Sequence, residues 1–446
     1  MSLYSAMFMA SPLSDCFSDT ALLQGMLDFE AGLAQALAAT GIIDSESAQV
    51  IKACCRADRL DAAALTQAAG LAGNLAIPLV KQLTAVVAAR SPDAARYVHW
   101  GATSQDAIDS GFMLQLRAAL NGTAALLDRL IAALCVQCER HSKTLMVGRT
   151  WLQHALPVTL GLKLAGTLDA LLRFRQRLAA MQPRVLALQF GGAAGTLASL
   201  GEKGEQVEQA FSEALDLPRS ATPWHAHRDR MTEVAGWYAG LTGTLGKLAR
   251  DMSLLMQSEV GEVSEPRAPG RGGSSTMPHK RNPVLCAAIL SAANRVPALM
   301  SGLYAGMVQE HERALGGWQA EWQSLPQLIV LSGASLAQST ELVEGLEVHE
   351  AAMQHNLALT QGLIMAEAVT LALADKLGRQ QAHHHIEQCC HRALETQQSL
   401  LSVLCADALI ACHLSRSALE TLLDPANATG SSSRFIQQVL AAARKL

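Results

Sequence analysis

Residues 270–283, which read GRGGSSTMPHKRNP, combine side chains that could bind and stabilise an anion. Ser274 and Ser275 supply hydroxyls, Lys280 supplies a cation, and Asn282 followed by proline favours the start of a helix. The glycines allow a loop that closes over a ligand. Because a helix N-terminus and a lysine both attract negative charge, the segment predicts an anion site beside two hydroxyls.

Two other interpretations of this segment exist. The phosphate-binding pattern G-x-x-x-x-G-K-[ST] is absent, so the segment is not a P-loop. A flexible surface loop that ends in a capped helix would also fit the spacing. The segment by itself does not decide between this structural loop and an anion-binding loop.

Long helices are the elements that must position this loop. The 446 residues are 50% hydrophobic but only 4% aromatic, a composition that favours closely packed helices. Apolar residues recur at helical spacing. A kink is expected at Pro297. Ser18 or Asp19 should cap the first helix, and residues 91–110 have the composition of a functional loop. The predicted helices cover 20–40, 112–140, 157–180 and 232–256, and two more follow Pro283 and Pro326.

The chain is predicted to be all-α, with an N-terminal helical domain over 1–110, a central long-helix bundle over 111–350 and a C-terminal helical domain over 351–446. The central helices present more apolar faces than a single-chain bundle needs, which predicts a homo-oligomer. We find no secretory signal and no charge-free apolar stretch of membrane-spanning length, so no membrane partner and a cytoplasmic location are expected. The net charge of −4 argues against nucleic acid as a partner.

The ten cysteines are expected to be reduced thiols packed in helices. Cys135 and Cys138 form a C-x-x-C pattern, but it lies inside a long helical pattern without a second pair. A metal or redox site there is therefore not predicted. Likewise, we see no cluster of Asp, Glu and His with metal-ligand spacing, and the sequence predicts no metal and no cofactor. The tract from His383 to His385 is interpreted as a helix surface.

Five segments together carry a resemblance to a known family. The loop matches G-S-S-x-M-P-x-K-x-N-P, and HWGATSQD, GRTWLQHALP, QFGGAAGT and HERALGGW occur in the family's order along the whole chain. The sequence thus resembles the fumarase/aspartase superfamily, which includes argininosuccinate and adenylosuccinate lyases. The resemblance implies three mainly helical domains and a homotetramer with a twenty-helix core, in which each active site draws on three subunits.

The resemblance also implies roles for individual residues. Ser274 matches the catalytic base, and Lys280 and Asn282 match carboxylate-binding positions. A serine needs its alkoxide stabilised to act as a base, which loop amides, a helix N-terminus and Lys280 would provide. The remaining positions match groups that contact substrate: Ser275, His99, Thr103, Ser104, Gln153, Thr196 and Arg313.

Departures from the lyase pattern indicate the branch of the superfamily. Trp151 stands where lyases commonly have a histidine, and indole cannot shuttle protons. Trp318 and Trp322 replace a serine and an arginine of adenylosuccinate lyase, which indicates a smaller substrate. With NLALTQGL, these features resemble the bacterial carboxymuconate cycloisomerases. That resemblance implies that a carboxylate of a small tricarboxylate substrate adds across a double bond. Ser274 would donate the proton to carbon.

Several points stay open at this stage. Beside Lys280 and Arg313, the third cation for a tricarboxylate could be Arg149, Arg228 or Arg281. His154 and His279 are possible helpers. The competing functions are an adenylosuccinate-lyase-like elimination that releases fumarate, and a non-catalytic relative that keeps only the scaffold. The three tryptophans argue against the first, and the intact Ser274 loop argues against the second.

Overall fold

The structure, a computed structural model, describes residues 3–445 and is mainly helical with a few short strands, which confirms the predicted all-α class. The N-terminal helices are α1 (Leu3–Phe8), α2 (Asp19–Ala39), α3 (Ser45–Cys54), α4 (Ala62–Ala72), α5 (Ala76–Ala88) and α6 (Pro92–Ala95). Single turns of 3-10 helix occur at Ser14–Phe17 and Ala57–Arg59.

Long helices form the middle of the chain, with a hairpin between the first two. The elements are α7 (Ser104–Arg140), β1 (Leu145–Thr150), β2 (Gln153–Thr159), α8 (Leu160–Val185), a 3-10 segment (Ala198–Lys203), α9 (Gly204–Leu215), α10 (Asp229–Leu255), β3 (Val263–Ser264), α11 (Val284–Ala305) and α12 (Gly317–Glu344). Strands β1 and β2 pair antiparallel.

Shorter helices complete the chain. They are preceded by β4 (Glu347–Val348), which pairs antiparallel with β3. The elements are α13 (Glu350–Ala358), a 3-10 turn (Leu363–Met365), α14 (Ala366–Leu377), α15 (Arg379–Thr396), α16 (Leu400–Ala406), α17 (Ala408–Ala411), α18 (Arg416–Leu422), a 3-10 turn (Pro425–Ala428) and α19 (Ser432–Ala443).

The contacts divide the chain into two compact units. The first unit contains the residues up to Leu127, then Phe174–Leu245 and Ala288–Ala337. The second unit contains Asp128–Arg173, Gly246–Ala287 and the residues from Gln338 onward. Each unit is therefore discontinuous in sequence. The predicted three-domain division at residues 110 and 350 stays a prediction.

The first unit packs around α2. This helix was predicted over 20–40 and lies at Asp19–Ala39, with the Ser18 side chain accepting from the Ala21 amide as expected of a cap. Its apolar face is fully buried, and the Phe29 ring meets Phe211 of α9 edge to face at 4.9 Å. Where α2 crosses α7, a Cβ added to Gly111 would lie 2.8 Å from the backbone carbon of Gly25. The two helices touch through their backbones at this crossing.

The second unit contains a core of its own in the C-terminal helices. Residues of α14, α15 and α16 that are almost completely buried form one cluster, including Val369, Leu373, Ile386, Leu400 and Leu404. The ten cysteines, which all lie in the described residues, are free thiols. Burial raises the pKa of both Cys135 and Cys138, so the C-x-x-C pair lacks the acidic thiol of a reactive site.

Three predicted element boundaries are wrong. Residues 104–110 belong to α7 rather than to a loop, because the polar side chains there are buried and hydrogen-bonded inside the first unit. Pro157 lies in β2, whose pairing with β1 overrides the helical spacing of the following leucines. Pro326 lies inside α12, nine residues after its start at Gly317. Pro297 lies inside α11, where the predicted kink stays a prediction.

Two helices are long and apolar enough to cross a membrane by length and composition. Each of α7 and α11 contains an 18-residue stretch of mean hydropathy 1.5, of which only 39% is buried. The bent pair of α13 and residues 363–377 passes the same test if it is counted as one span. Every 18-residue window of α7 and of α11 contains at least one charged residue, so this finding does not contradict the expectation that no charge-free apolar stretch of this length exists. In the single chain, α7 and α11 nevertheless leave much of these apolar stretches unburied.

Candidate active site

Asp106 organises the start of α7, where Thr103 and Ser104 lie. The Thr103 amide donates to the Asp106 carboxylate at 3.0 Å, and the Thr103 carbonyl accepts from the Asp106 amide. Thr103 is therefore the N-cap of α7. The Asp106 side chain, three residues later, accepts from the N-cap amide as in a capping box. The same carboxylate is fully buried and pairs with His225 Nε2 at 2.7 Å.

Asp106 also holds the loop that carries Thr196. Its two oxygens accept from the amides of Gly191 and Gly192 at 3.1 and 2.9 Å. Gly192 has φ of +70°, and a Cβ there would lie 2.9 Å from the Gly101 carbonyl oxygen, so only glycine fits. One carboxylate thus fixes the Thr103 turn against residues 191–197.

Arg313 reaches the same loop from the segment before α12. Its guanidinium donates to the Ala193 carbonyl at 3.0 Å. Its Nε is buried without a partner among the described residues, a costly state that a bound acceptor would relieve. Thr196, three residues beyond Ala193, is exposed. The structure therefore brings Thr103, Ser104, Thr196 and Arg313 into one part of the first unit.

His99 precedes this turn and pairs with a buried carboxylate. Its Nδ1 lies 2.6 Å from Oε1 of Glu30, which is 1% exposed and whose other oxygen has no partner among the described residues. Burial alone would lower the pKa of His99, but the charge and hydrogen bond of Glu30 outweigh it and raise the pKa above its ordinary value. The pair with Glu30 therefore favours the protonated form of the His99 ring.

In the second unit, Ser274 lies inside a tight turn. Its Oγ accepts from the Met277 amide at 3.1 Å and from the Thr276 amide at a longer 3.4 Å. Amides directed at this oxygen stabilise negative charge on it, which is the condition for a serine to exchange a proton with carbon. Ser275 and Lys280 lie exposed in the same loop.

A backbone contact closes the base of this loop. The Asn282 amide donates to the Gly272 carbonyl at 2.8 Å. Gly272 has φ of +67°, and a Cβ there would lie 2.6 Å from the Asn282 carbonyl oxygen. The loop therefore keeps Ser274, Lys280 and Asn282 within one closed turn system.

The predicted use of the α11 N-terminus for ligand binding is wrong. The Pro283 carbonyl accepts the first helical bond from Ala287, so the proline is the N-cap and not the first helical residue. The next free amides, of Leu285 and Cys286, donate to the Glu265 carboxylate at 3.1 and 2.8 Å. Glu265 is buried at 3% exposure, so its carboxylate already occupies the helix N-terminus that a ligand would need.

Gln153 lies on the β1–β2 hairpin, beside an unusual turn. Trp151 and Leu152 form the tip, with φ of +51° and +63°. Positive φ at both central residues is the backbone of a type I′ turn, which normally takes Asn and Gly. Their side chains are 98% and 75% exposed. Burial and the charge of Arg149 lower the pKa of His154, which keeps this possible helper neutral.

The three guanidiniums considered as a third cation all have carboxylate partners. Arg149 makes a bidentate pair with Glu262, which is fully buried and also accepts from Asn356. Arg281 pairs with Glu347. Arg228 is buried between Asp109 and Glu321, which raise its pKa against the opposing effect of burial. Each of the three candidates therefore already has a carboxylate partner, and a substrate-binding role for any of them stays a prediction.

Trp318 and Trp322 pack edge to face at 4.9 Å, and Trp318 Nε1 donates to Asp109. Trp318 is only 3% exposed. That the two indoles narrow the substrate pocket stays a prediction.

One group of possible metal ligands occurs among residues 3–445, and the sequence analysis missed it. Ligand atoms of His385, Cys389 and Asp407 lie within 4.8 Å of one another. The Arg392 guanidinium donates to Asp407 at 3.0 Å and lies 3.4 Å from the Cys389 sulphur, so a cation already balances the carboxylate. None of the predicted site residues belongs to this group.

The ten predicted site residues divide evenly between the two units. His99, Thr103, Ser104, Thr196 and Arg313 lie in the first unit, and Gln153, Ser274, Ser275, Lys280 and Asn282 lie in the second. Sequence reasoning missed four buried carboxylates. Glu30 and Asp106 hold His99 and Thr103, and Glu262 and Glu265 hold Arg149 and the start of α11. The D in GATSQD, three residues after Thr103, was the only local signal, because it has the spacing of a capping box.

The fold and these two clusters define the class of protein. A sequence model of the family described as lyase matches residues 7–298, and one described as adenylosuccinate lyase C-terminus matches residues 362–439. The chain belongs to this lyase family, the fumarase/aspartase superfamily.

Particular relatives are more specific. The chain is 54% identical over 439 residues to a 3-carboxy-cis,cis-muconate cycloisomerase of Pseudomonas aeruginosa, covering 98% of this chain and 96% of the relative. The crystal structure of the 3-carboxy-cis,cis-muconate lactonizing enzyme from Pseudomonas putida has a TM-score of 0.96 and 50% identity, covering 99% of both chains. The β-carboxy-cis,cis-muconate cycloisomerase from Acinetobacter calcoaceticus has a TM-score of 0.94 and 43% identity, covering 99% of this chain and 100% of that one.

Proposed function

We propose that this protein is a 3-carboxy-cis,cis-muconate cycloisomerase of the protocatechuate branch of the β-ketoadipate pathway. One substrate carboxylate adds across a double bond within the molecule and gives a carboxymuconolactone. The observation that carries this proposal is the 54% identity that extends over nearly the full length of both chains. The geometry of the two residue clusters supports it.

Ser274 supplies the proton in this reaction. Attack of the carboxylate oxygen on one alkene carbon moves the electron pair towards the carboxylate on the other side and gives an aci-carboxylate. The Ser274 hydroxyl then protonates the carbon alpha to that carboxylate. The amides of Met277 and Thr276 stabilise the alkoxide left on Oγ. Water would return the proton after product release.

The exposed indole of Trp151 fits this chemistry. In an elimination that expels an amine or an alkoxide, an acid must protonate the leaving group. The reverse of lactonisation expels a carboxylate, which is stable as an anion and leaves without a proton. A tryptophan can therefore stand at the position where lyases have histidine.

Three positive groups remain to hold the three substrate carboxylates. Lys280 Nζ is exposed and has no carboxylate partner among the described residues, and Arg313 Nε has no acceptor there. With Arg149, Arg228 and Arg281 engaged elsewhere, His99 is the third positive group of the proposed site, because its pair with Glu30 raises its pKa and favours the protonated ring. Thr103, Ser104, Ser275, Asn282, Gln153 and Thr196 supply the neutral hydrogen bonds.

The working enzyme is a cytoplasmic homotetramer with the three-domain organisation given above, in which each site collects residues from three subunits. Two features of the single chain support this. The apolar stretches of α7 and α11 are only 39% buried. Trp151 and Leu152 extend into solvent in a strained turn, which a partner subunit would cover.

The test is an ultraviolet assay of purified protein with 3-carboxy-cis,cis-muconate in the presence of excess chelator. We expect loss of the conjugated diene absorbance at a rate that the chelator leaves unchanged. The second candidate is an adenylosuccinate-lyase-like elimination, supported by the family match over residues 362–439. Fumarate release from adenylosuccinate, without change of the diene, would replace the proposed function by that one.

A further inference from the structure

Two arginines flank the loop that carries Ser274, and both pair with glutamates near the end of α12. At the start of the loop, the Arg271 guanidinium donates to Glu341 in the last turn of that helix. At its end, Arg281 makes a bidentate pair with Glu347 of β4, at 2.9 and 3.2 Å. All five residues belong to the second unit. Ion pairs therefore tie both ends of the loop to one short stretch of chain, residues 341–347.

The Arg281 guanidinium makes a further hydrogen bond, to the backbone before the loop. Its Nη2 donates at 2.6 Å to the carbonyl of Glu265, the residue directly after β3. The side chains of Arg281 and Glu347 are 36% and 28% exposed, so water screens the pair only in part. The hydrogen bond from Arg281 is the main cause that lowers the pKa of Glu347, which keeps this carboxylate ionised. One guanidinium thus joins the end of the loop to the β3–β4 pair.

Arg281 stands between Lys280 and Asn282 in the sequence, and hydrogen bonds link this stretch to the Ser274 turn. The Lys280 amide donates to the Met277 carbonyl at 3.0 Å. The Met277 amide in turn donates to Ser274 Oγ at 3.1 Å. A shift of the Arg281 backbone would therefore move an amide that stabilises the Ser274 alkoxide, over a path of two hydrogen bonds. Because a misplacement of about 1 Å can weaken catalysis strongly, the anchor of Arg281 affects proton transfer.

We propose that Arg281 is a positioning residue, whose pair with Glu347 holds the Ser274 turn in the geometry for proton transfer. The inference rests on the proposed function, because it assigns Arg281 a task in that reaction. The alternative is that Arg281 binds a substrate carboxylate directly. A substrate would then compete with Glu347 for the same guanidinium, so the two roles predict different effects of removing the Glu347 charge.

A double-mutant cycle separates the two roles. The values of kcat and KM for 3-carboxy-cis,cis-muconate are measured for the wild type, Arg281→Gln, Glu347→Gln and the double variant. For a positioning pair, each single change should lower kcat by about tenfold, more than it raises KM, and the double variant should be no worse than the single ones. Arg281→Lys should not restore kcat, because an ammonium cannot make the bidentate contact. A raised KM with unchanged kcat in Arg281→Gln, beside an unchanged or lower KM in Glu347→Gln, would overturn the proposal.

Hydrogen exchange of the free enzyme tests the anchor without the reaction. Glu347→Gln should speed amide exchange in residues 272–282, as measured by mass spectrometry. Glu344→Gln breaks the bidentate pair with Arg129, which lies outside the loop, and should leave both exchange and kinetics unchanged. If the wild type turns over muconate but Glu347→Gln changes neither kcat nor loop exchange, the positioning role is wrong and the proposed function stands. If the wild type has no muconate turnover, the proposed function is wrong, and only faster loop exchange in Glu347→Gln would keep Arg281 as the anchor of this loop.

Discussion

Backbone amides, rather than a neighbouring base, surround the Ser274 hydroxyl. Met277 and Thr276 direct their N–H groups at its oxygen, and the Gly272–Asn282 hydrogen bond closes the loop below them. An oxygen that accepts such bonds stabilises its own deprotonated form. The residue can therefore give up a proton to carbon and take one back without a histidine partner.

Ser274→Ala removes the hydroxyl at which the Met277 and Thr276 amides are directed. Turnover of 3-carboxy-cis,cis-muconate should fall by about a hundredfold or more, with circular dichroism and native mass unchanged. Ser275→Ala removes a single substrate contact and should cost only about tenfold. Similar losses in the two variants would assign the proton transfer to another group.

Glu30→Gln tests the dyad with His99. The raised pKa of His99 depends on the buried carboxylate, so the variant should lower this pKa, as read from the histidine resonances of labelled protein. In the wild type the raised pKa stabilises the fold fully below the ordinary imidazole pKa of about 6.5. That contribution is lost as pH rises through the native pKa. The difference in unfolding free energy between the wild type and Glu30→Gln should therefore become smaller as pH rises. Glu46→Gln, which changes an exposed glutamate, is the control and should leave the pKa of His99 unchanged.

Sequence reasoning found the candidate ligand-binding residues better than the residues that hold them. Ser274, Lys280 and Asn282 stand close together in one motif, and their proximity is local. Glu262 lies 113 residues from Arg149, and Glu265 lies 20 residues before the α11 amides that it caps. No short sequence pattern predicts such pairs, because their members are distant in sequence and only the folded chain brings them together.

At the scale of elements, the β1–β2 hairpin depends on a buried ion pair. Glu262→Gln would leave Arg149 paired with a neutral amide in a largely buried place, and unfolding free energy should drop by about 3 kcal/mol. Glu344→Gln is the matched control, because its bidentate pair with Arg129 lies at the surface and should contribute far less to the free energy of unfolding. Urea unfolding of the three proteins measures both. Equal losses would show that burial does not decide the strength of these pairs.

The α2–α7 crossing gives a second test of an element. Gly111→Ala places a Cβ against the backbone of Gly25, which cannot move aside as a side chain can. We expect a loss of about 1–3 kcal/mol in unfolding free energy. Gly70→Ala in α4 meets no atom within 4 Å and should be neutral or stabilising by about 0.5–1 kcal/mol. A neutral Gly111→Ala would mean that the two helices separate readily.

The elements themselves were predictable where their signals are local. Ser18 and the apolar spacing placed α2 to within one residue. The start of α7 was missed because Gln105, Asp106 and Asp109 look like loop residues, although they are buried and paired. Pro157 looked like a first helical residue, but cross-strand pairing placed it in β2.

At the scale of the whole molecule, the β1–β2 tip formed by Trp151 and Leu152 should affect both the stability of the chain and its assembly into an oligomer. Trp151→Asn combined with Leu152→Gly gives the turn the residues that its backbone prefers. Backbone strain should fall, but the apolar surface offered to a partner is lost. Light scattering should give about four times the 47.3 kDa chain mass for the wild type and smaller species for the variant at the same concentration. A wild-type monomer would contradict the proposed tetramer, and an unaltered variant mass would place the tip outside the interface.

The division of the chain into discontinuous units has a consequence for synthesis on the ribosome. The first unit needs Ala288–Ala337, so its N-terminal helices cannot complete their packing until about three quarters of the chain has emerged. Until then α2 and α7 expose their apolar faces, with α7 as hydrophobic as a membrane segment. Such nascent chains are the substrates that chaperones bind. Truncations before residue 337 should therefore aggregate rather than yield a soluble N-terminal fragment.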